Sequence, residues 1–291
     1  MISNKTFGII GGDMRQIHLA KKLICDGNTV LMHGFENVED LDCLTSKNKN
    51  LENVIQNSKY LILPVPVSRD RKKLNAPFSK NTIQINKKFV APLKNKVVFG
   101  GIISPLLEYV NKPSEFCIKD YYEREDFLIY NAALTAEGSI KTMVQNMSIP
   151  ISGSKCLVAG YGRIGKILSK LLKNLGAKVT VSARNLKDTS LAEINGFEVI
   201  NVKEINENHY FDVIFNTVPA VIFDFEVLKF LKSTKLIIDL ASLPGGVDKN
   251  SAEKFNIKII NDLGIPGRYY PEPSGEILAK VIYKIIKEEH L

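Results

Sequence analysis

Along this chain, short apolar runs alternate with stretches in which apolar residues return every three or four positions. Lys155–Ala159 (KCLVA) is a short apolar run and predicts a buried strand. After a glycine-rich turn, Ile167, Leu168, Leu171, Leu172 and Leu175 recur at helical spacing, predicting a helix over Lys166–Asn174 that Gly176 closes. Lys178–Ser182 (KVTVS) alternates and is β-branched, which predicts the next strand. Further strands are expected at Phe211–Asn216, Lys235–Asp239 and Ile257–Ile260, with helical patterns between them. Strands alternating with helices imply a parallel, doubly wound sheet.

The first half reads as a degraded copy of the same layout. Shifted by 149 positions, Gly11 falls on Gly160, Gly27 on Gly176 and Val30 on Val179. Phe7–Ile10 then becomes a strand and Ile17–Ile24 a helix, and Tyr60–Leu63 supplies another strand. Two longer helices are expected to join the halves. One runs from about Thr135, its N-cap, to Met147, with Glu137 in its first turn; the other starts at its cap Ser274 and runs to the C-terminus. The expected class is therefore α/β, with two Rossmann-like doubly wound parallel-sheet domains. Residues 1–134 would form the substrate and catalytic domain, 135–273 the dinucleotide-binding domain, and 274–291 a helix crossing back to the first domain.

Composition narrows the function. With 291 residues the chain exceeds a typical single core, and 45% apolar with 24% charged residues is the balance of a globular protein. No apolar run is long enough for a membrane span, and Met1–Lys5 lacks the layout of a signal peptide, so a cytoplasmic protein is expected. The net charge is +8, but seven of the 39 basic residues are Arg and the lysines are read as scattered. Without a basic stripe interleaved with aromatics, nucleic acid is not expected as a partner. Cys25, Cys43, Cys117 and Cys156 form no C-x-x-C pair and are expected to be reduced, buried thiols; no metal site is expected.

The chemistry-bearing motif is Gly160-Tyr161-Gly162-Arg163-Ile164-Gly165, placed after a strand and opening a helix, which is the context a dinucleotide turn requires. Gly160 allows the tight turn, Gly162 lets backbone approach a pyrophosphate, and Gly165 lets helix pack on strand. NAD-binding chains usually carry Asp or Glu at the end of the second strand. Here Ser182-Ala183-Arg184-Asn185 has no acid, and Arg184 with Ser182 suits a 2′-phosphate, so NADP is expected over NAD. Arg163 adds a cation near the phosphates. Thr217-Val218-Pro219 and Leu240-Ala241-Ser242, at strand ends, are expected along the ribose and nicotinamide. In the first half the second and third glycines of the motif are replaced by Asp13 and Gln16, and a carboxylate there would repel a pyrophosphate. That turn is instead a candidate for substrate chemistry. Arg15 would hold a carboxylate, and Asp13 would act as a base or orient Arg15; Glu123, Asn131 and Glu137 complete the candidate catalytic set.

These residues together carry a resemblance. Ile10-Gly11-Gly12-Asp13-Met14-Arg15-Gln16, Thr135-Ala136-Glu137-Gly138, Gly160-Tyr161-Gly162-Arg163, Asn216-Thr217-Val218-Pro219, the segment Asp239–Asp248 (DLASLPGGVD) and Gly264-Ile265-Pro266-Gly267 are similar to the A-subunit family of dipicolinate synthase from spore-forming bacteria. The resemblance implies NADP-dependent oxidation of a dihydro- or hydroxytetrahydrodipicolinate to pyridine-2,6-dicarboxylate. It also implies a small dicarboxylate substrate, a partner in the flavoprotein-like B subunit, and work in the mother cell during sporulation. A homo-oligomer is expected. Two other readings stand beside it: another NADP-dependent dehydrogenase acting on an amino acid, imino acid or shikimate-like compound, and a non-catalytic NADP-binding regulatory subunit.

Overall fold

The computed structural model describes residues 2–38 and 50–291. The chain forms two compact units, one made of Met1–Tyr130 with Tyr270–Leu291, the other of Asn131–Tyr269.

The first unit carries five strands: β1 (Thr6–Ile10), β2 (Thr29–His33), β3 (Tyr60–Ile62), β4 (Val97–Gly100) and β5 (Cys117–Asp120). They lie in the order β2-β1-β3-β4-β5, all parallel. Alternation along each strand separates two cores. Phe7, Ile9, Tyr60, Ile62 and Phe99 face the helices Met14–Cys25 and Pro271–Glu288, whereas Ile10, Leu61 and Val98 pack on the opposite face with Val54 and Phe89. The C-terminal helix lies so close to the Met14–Cys25 helix that a Cβ on Gly275 would stand 2.6 Å from the Leu19 backbone nitrogen. This helix starts at Pro271, not at Ser274, which is buried in its first turn; proline at the first helical positions loses no helical hydrogen bond.

The second unit carries β6 (Lys155–Ala159), β7 (Lys178–Ser182), β8 (Glu198–Ile200), β9 (Val213–Asn216), β10 (Leu236–Asp239) and β11 (Lys258–Asn261). Their order is β11-β10-β9-β6-β7-β8, again all parallel. Read from the β8 end this is 3-2-1-4-5-6 with β6 as strand 1, the dinucleotide-binding topology, and the connections reverse direction between β6 and β9. Both faces are buried, Val158, Val181, Phe215 and Ile238 on one and Leu157, Ile214 and Ile237 on the other.

The long helix differs from expectation. It runs Glu125–Asn146, beginning ten residues before Thr135, with Glu125 and Asp126 in its first turn. Thr135 is therefore no cap: its hydroxyl donates to the Asn131 carbonyl one turn back (2.7 Å). The cysteines also differ. Cys156 is buried, and burial pushes its thiol up to about 11, but Cys117 is half-buried and Cys25 exposed; Cys43 lies outside the described residues.

Candidate functional site

In the second unit the β6–helix turn lies at the carboxyl edge of the sheet, at the point where strand order reverses. Each of its glycines has a separate steric reason. Gly160 has φ +96°, and a Cβ there would stand 2.2 Å from Thr217 Oγ1. Gly165 would drive a Cβ to 2.0 Å from the Gly160 carbonyl oxygen, so the helix Arg163–Asn174 approaches its own turn only because that side chain is missing. Gly162 is the opposite case. It caps the helix in an extended conformation, no side chain satisfies the cap, and a Cβ would meet nothing within 4 Å. The result is an open cradle at a helix N-terminus, with first-turn N–H groups uncapped by any side chain, which is the geometry a pyrophosphate fits.

The surrounding residues divide by side chain and backbone. Tyr161 and Ile164 belong to the turn through backbone alone. The Tyr161 ring is buried against Phe197 (centroids 6.1 Å apart), and Ile164 packs on the same core. Ser182 ends β7 buried, and its carbonyl accepts from Gly160 N (2.8 Å). Arg184 is exposed two residues on and makes no hydrogen bond or ion pair with a described residue. The nearest acid along the chain, Asp188, is occupied by Asn185 (2.8 Å) and Lys166 (3.4 Å). Arg163 is exposed at the helix start. Thr217 Oγ1 donates to the Ala159 carbonyl (2.9 Å), so its hydroxyl proton is committed to the fold. Leu240 and Ala241 turn into the core and leave Ser242 as the exposed member of that strand end, while Val218 is half-buried and Pro219 exposed.

Sequence reading named Asn216 and Asp239 only within longer motifs and missed their task. Both end strands, β9 and β10, and both are almost fully buried. Asp239 accepts from the Asn216 amide (2.8 Å), from Ala241 N (3.1 Å) and from Gly246 N (2.9 Å), while Asn216 donates to the Val218 carbonyl and accepts from Val218 N. One carboxylate thus holds both the 217–219 and the 240–246 loops at the sheet edge. The signal in sequence was a polar residue ending each of two otherwise apolar strands.

In the first unit the matching turn is built differently. Gly11 (φ +65°) and Gly12 (φ +112°) lead to Asp13, which caps the helix Met14–Cys25 in a full capping box: Arg15 N donates to the Asp13 carboxylate and Asp13 N to Gln16 Oε1 (3.0 Å). The Arg15 guanidinium grips the same carboxylate through Nε (2.8 Å) and Nη2 (2.7 Å), and Nη2 also donates to the Val65 carbonyl (2.8 Å). Burial alone would raise the Asp13 carboxyl, but the hydrogen-bonded Arg15 outweighs it and holds it below the usual carboxylate value. Gln16 is fully buried, and its Nε2 has no hydrogen-bond partner among the described residues.

Two family models match the chain: the N-terminal domain of the dipicolinate synthase A subunit over residues 6–122, and the NAD-binding domain of S-adenosyl-L-homocysteine hydrolase over residues 133–262. The dipicolinate synthase A subunit of Bacillus subtilis is 30% identical over 291 residues, covering 99% of this chain and 98% of that protein. The chain belongs to the family of dipicolinate synthase A subunits. Crystal structures from that family agree: the Bacillus halodurans protein has TM-score 0.85 at 30% identity, covering 98% of this chain and 99% of that one. The Bacillus subtilis structure gives the same TM-score of 0.85 and 30% identity, covering 99% and 97%. A transhydrogenase from Sinorhizobium meliloti shares the fold at TM-score 0.65 and 13% identity, covering 97% of this chain and 94% of that one. The NAD-binding domain match makes a nicotinamide dinucleotide the cofactor class, and the chain is oxidoreductase-like.

Within this dipicolinate synthase frame the five candidate catalytic residues separate. Asp13 and Arg15 are brought together, but on each other: the low carboxyl makes Asp13 a poor base, and Arg15 spends Nε and Nη2 inside the fold. Glu123 lines a groove along the edge strand β5 with Lys119 and Glu289. Its neighbour Arg124 is a structural clamp, bonding Asp126 (2.9 Å) and Glu288 (2.7 Å). Asn131 and Glu137 share the long helix, but at ~100° per residue they project about 120° apart around its axis, so they do not face one ligand together. Among the described residues, no helix is long and apolar enough to cross a membrane.

Proposed function

We propose that this chain oxidises a dihydro- or hydroxytetrahydrodipicolinate to pyridine-2,6-dicarboxylate with NADP, as its B. subtilis relative's name suggests. The carrying observation is the open Gly162 cradle next to a β7 end that offers an arginine and no acid. Bound there, NADP would supply the hydride acceptor. The chain's own part is to hold and orient. Turn N–H groups of residues 162–165 meet the pyrophosphate, Arg184 and Ser182 meet the 2′-phosphate, and the Asp239-held loops shape the nicotinamide end. The dihydropyridine ring gives up a hydride and a proton. The hydride would pass to bound NADP and the proton to water; a hydroxytetrahydro substrate would first eliminate water to reach the dihydro ring, and aromatisation favours the oxidation. Asn131, half-buried on the long helix, is assigned as a hydrogen-bond partner of the substrate. The same reading places the chain with a flavoprotein-like B subunit in the mother cell of a sporulating bacterium, assembled as a homo-oligomer.

The test is absorbance during turnover. Freshly made dihydrodipicolinate-synthase product, given with NADP and then NAD, should raise reduced-nicotinamide and pyridine-dicarboxylate absorbance together, faster with NADP. Failure of both bands, with and without the B subunit, would end the proposal.

A further inference from the structure

The positive charge of this chain is not evenly spread. Between β3 and the short helix Lys87–Val90 lie 24 residues, Leu63–Asn86, in which one isolated bridge, Lys73 to Gln84, is the pairing described. They carry Arg69, Arg71, Lys72, Lys73 and Lys80 against a single acid, Asp70, which is half of the chain's net charge of +8. A loop of this length within a compact unit is uncommon and is usually functional. This one is also firmly built. Gly12 N donates to the Asn75 carbonyl (2.9 Å), Asn75 N to Val67 O (2.8 Å), Leu74 N to Ile83 O (2.9 Å) and Asn37 N to Phe78 O (3.0 Å). Glu36 accepts from Lys80 N (2.9 Å). The loop is thereby pinned over the Gly11–Gly12 turn, at the carboxyl edge of β1 and β3. In the order 2-1-3-4-5 that is the reversal point of this sheet, the place where open α/β sheets take ligands.

Along the loop runs an open groove of about 320 Å³, at the small end of the range for small-molecule sites. Arg69, Lys73 and Lys80 line it together with Ser79 and Thr82. None of the three cations makes an ion pair with a described residue, although Arg69 Nε donates to Asn75 Oδ1 (3.4 Å) and Arg69 lies within electrostatic range of the Asp13 carboxylate. Two acids reach the rim among the described residues and both are held by backbone: Asp70 accepts from Ser68 Oγ (3.2 Å), Lys72 N (2.9 Å) and Lys73 N (2.8 Å), and Glu36 accepts from Lys80 N (2.9 Å). Three exposed cations thus line one groove together with two hydroxyl side chains, an arrangement that suits an anion.

We propose that the Arg69–Ile83 loop is the anion subsite of the first unit, holding a carboxylate end of a small diacid through Arg69 and Lys73, with Lys80 closing the rim. The assignment of the diacid as a pyridine dicarboxylate rests on the function proposed above; the pocket itself does not. Arg15, committed to Asp13, is thereby relieved of the carboxylate-binding part that sequence reading gave it.

The test is calorimetric titration of the full chain with pyridine-2,6-dicarboxylate and, separately, with glutarate. The wild type is compared with Arg69→Gln/Lys73→Gln and with the charge-matched control Arg71→Gln/Lys72→Gln. Each charge-assisted contact is worth roughly tenfold in affinity, so the first variant should bind ~30-fold or more weakly, with NADP affinity and melting temperature unchanged. The control should lose less than about threefold, the share expected from bulk electrostatics. Equal loss in both variants, or none in the first, overturns the pocket, as does a wild type that binds neither diacid. Glutarate bound at an Arg69- and Lys73-dependent site, with pyridine-2,6-dicarboxylate rejected, would keep the pocket and remove the ring substrate. Unchanged KM in turnover by the first variant would do the reverse.

Discussion

Two turns in this chain follow the same strand-to-helix path and treat their helix ends in opposite ways. At Gly12-Asp13 the helix caps itself: Asp13 and Gln16 satisfy each other's backbone N–H groups, and Arg15 neutralises the carboxylate. At Gly162 no side chain caps the helix, and the space a Cβ would take is open. Among the positions that differ, two decide the cap. Where the second unit has Gly162 and Gly165, the first has Asp13 and Gln16. A helix N-terminus that is already hydrogen-bonded and carries a carboxylate has nothing to offer a pyrophosphate; one left bare does. One fold thereby yields a bare, open turn and a self-capped, ion-paired one.

Removing the self-cap should have the largest effect. Asp13→Ala takes away the helix cap and strands the buried Arg15, and should cost roughly 3 kcal/mol of stability by denaturant melt without creating a second dinucleotide site. The same contact fixes a pH dependence. Because the folded Asp13 carboxyl lies below its ordinary 3.8, its stabilisation is present above about pH 4 and is lost as pH falls through the lowered folded value. The stability gap between wild type and Asp13→Asn should therefore shrink below about pH 4; a gap widening in acid would contradict the pairing. Next in size, Gly165→Ala places a methyl 2.0 Å from the Gly160 carbonyl, so the cradle must deform; NADP binding should fall at least ~30-fold, with about 1–3 kcal/mol of overpacking. Smallest is Arg184→Gln, which should weaken NADP about tenfold and leave NAD affinity unchanged. Equal weakening of both would show that Arg184 does not read the 2′-phosphate.

Legibility in the sequence followed how local each cause was. KCLVA and KVTVS gave strands with their observed ends because each is a short run bounded by loop residues, and the glycine turn between them needs only its own sterics. The start of the long helix was missed because its first turn carries Glu125 and Asp126 rather than a capping Thr, and the contiguous apolar run Phe127–Tyr130 hides the helical period. β5 was missed as a short edge strand, half of it charged. The capping box at Asp13 and Gln16 was readable as D-x-x-Q, yet the glycine template drew attention to repulsion instead. The Asn216–Asp239 network was not readable, since Gly246 reaches Asp239 only after the loop doubles back. The cation-rich loop needed only a local count, which the whole-chain total concealed.

The most direct measurement transfers one turn's character to the other. Gly162→Asp places a capping carboxylate where the structure has open space, so the variant should fold with wild-type or slightly higher melting temperature. Titrated with NADP by calorimetry, the wild type should show one site per chain and Gly162→Asp should lose it by at least ~100-fold. A second site in the wild type, or unchanged binding in the variant, would contradict the division of labour between the two turns.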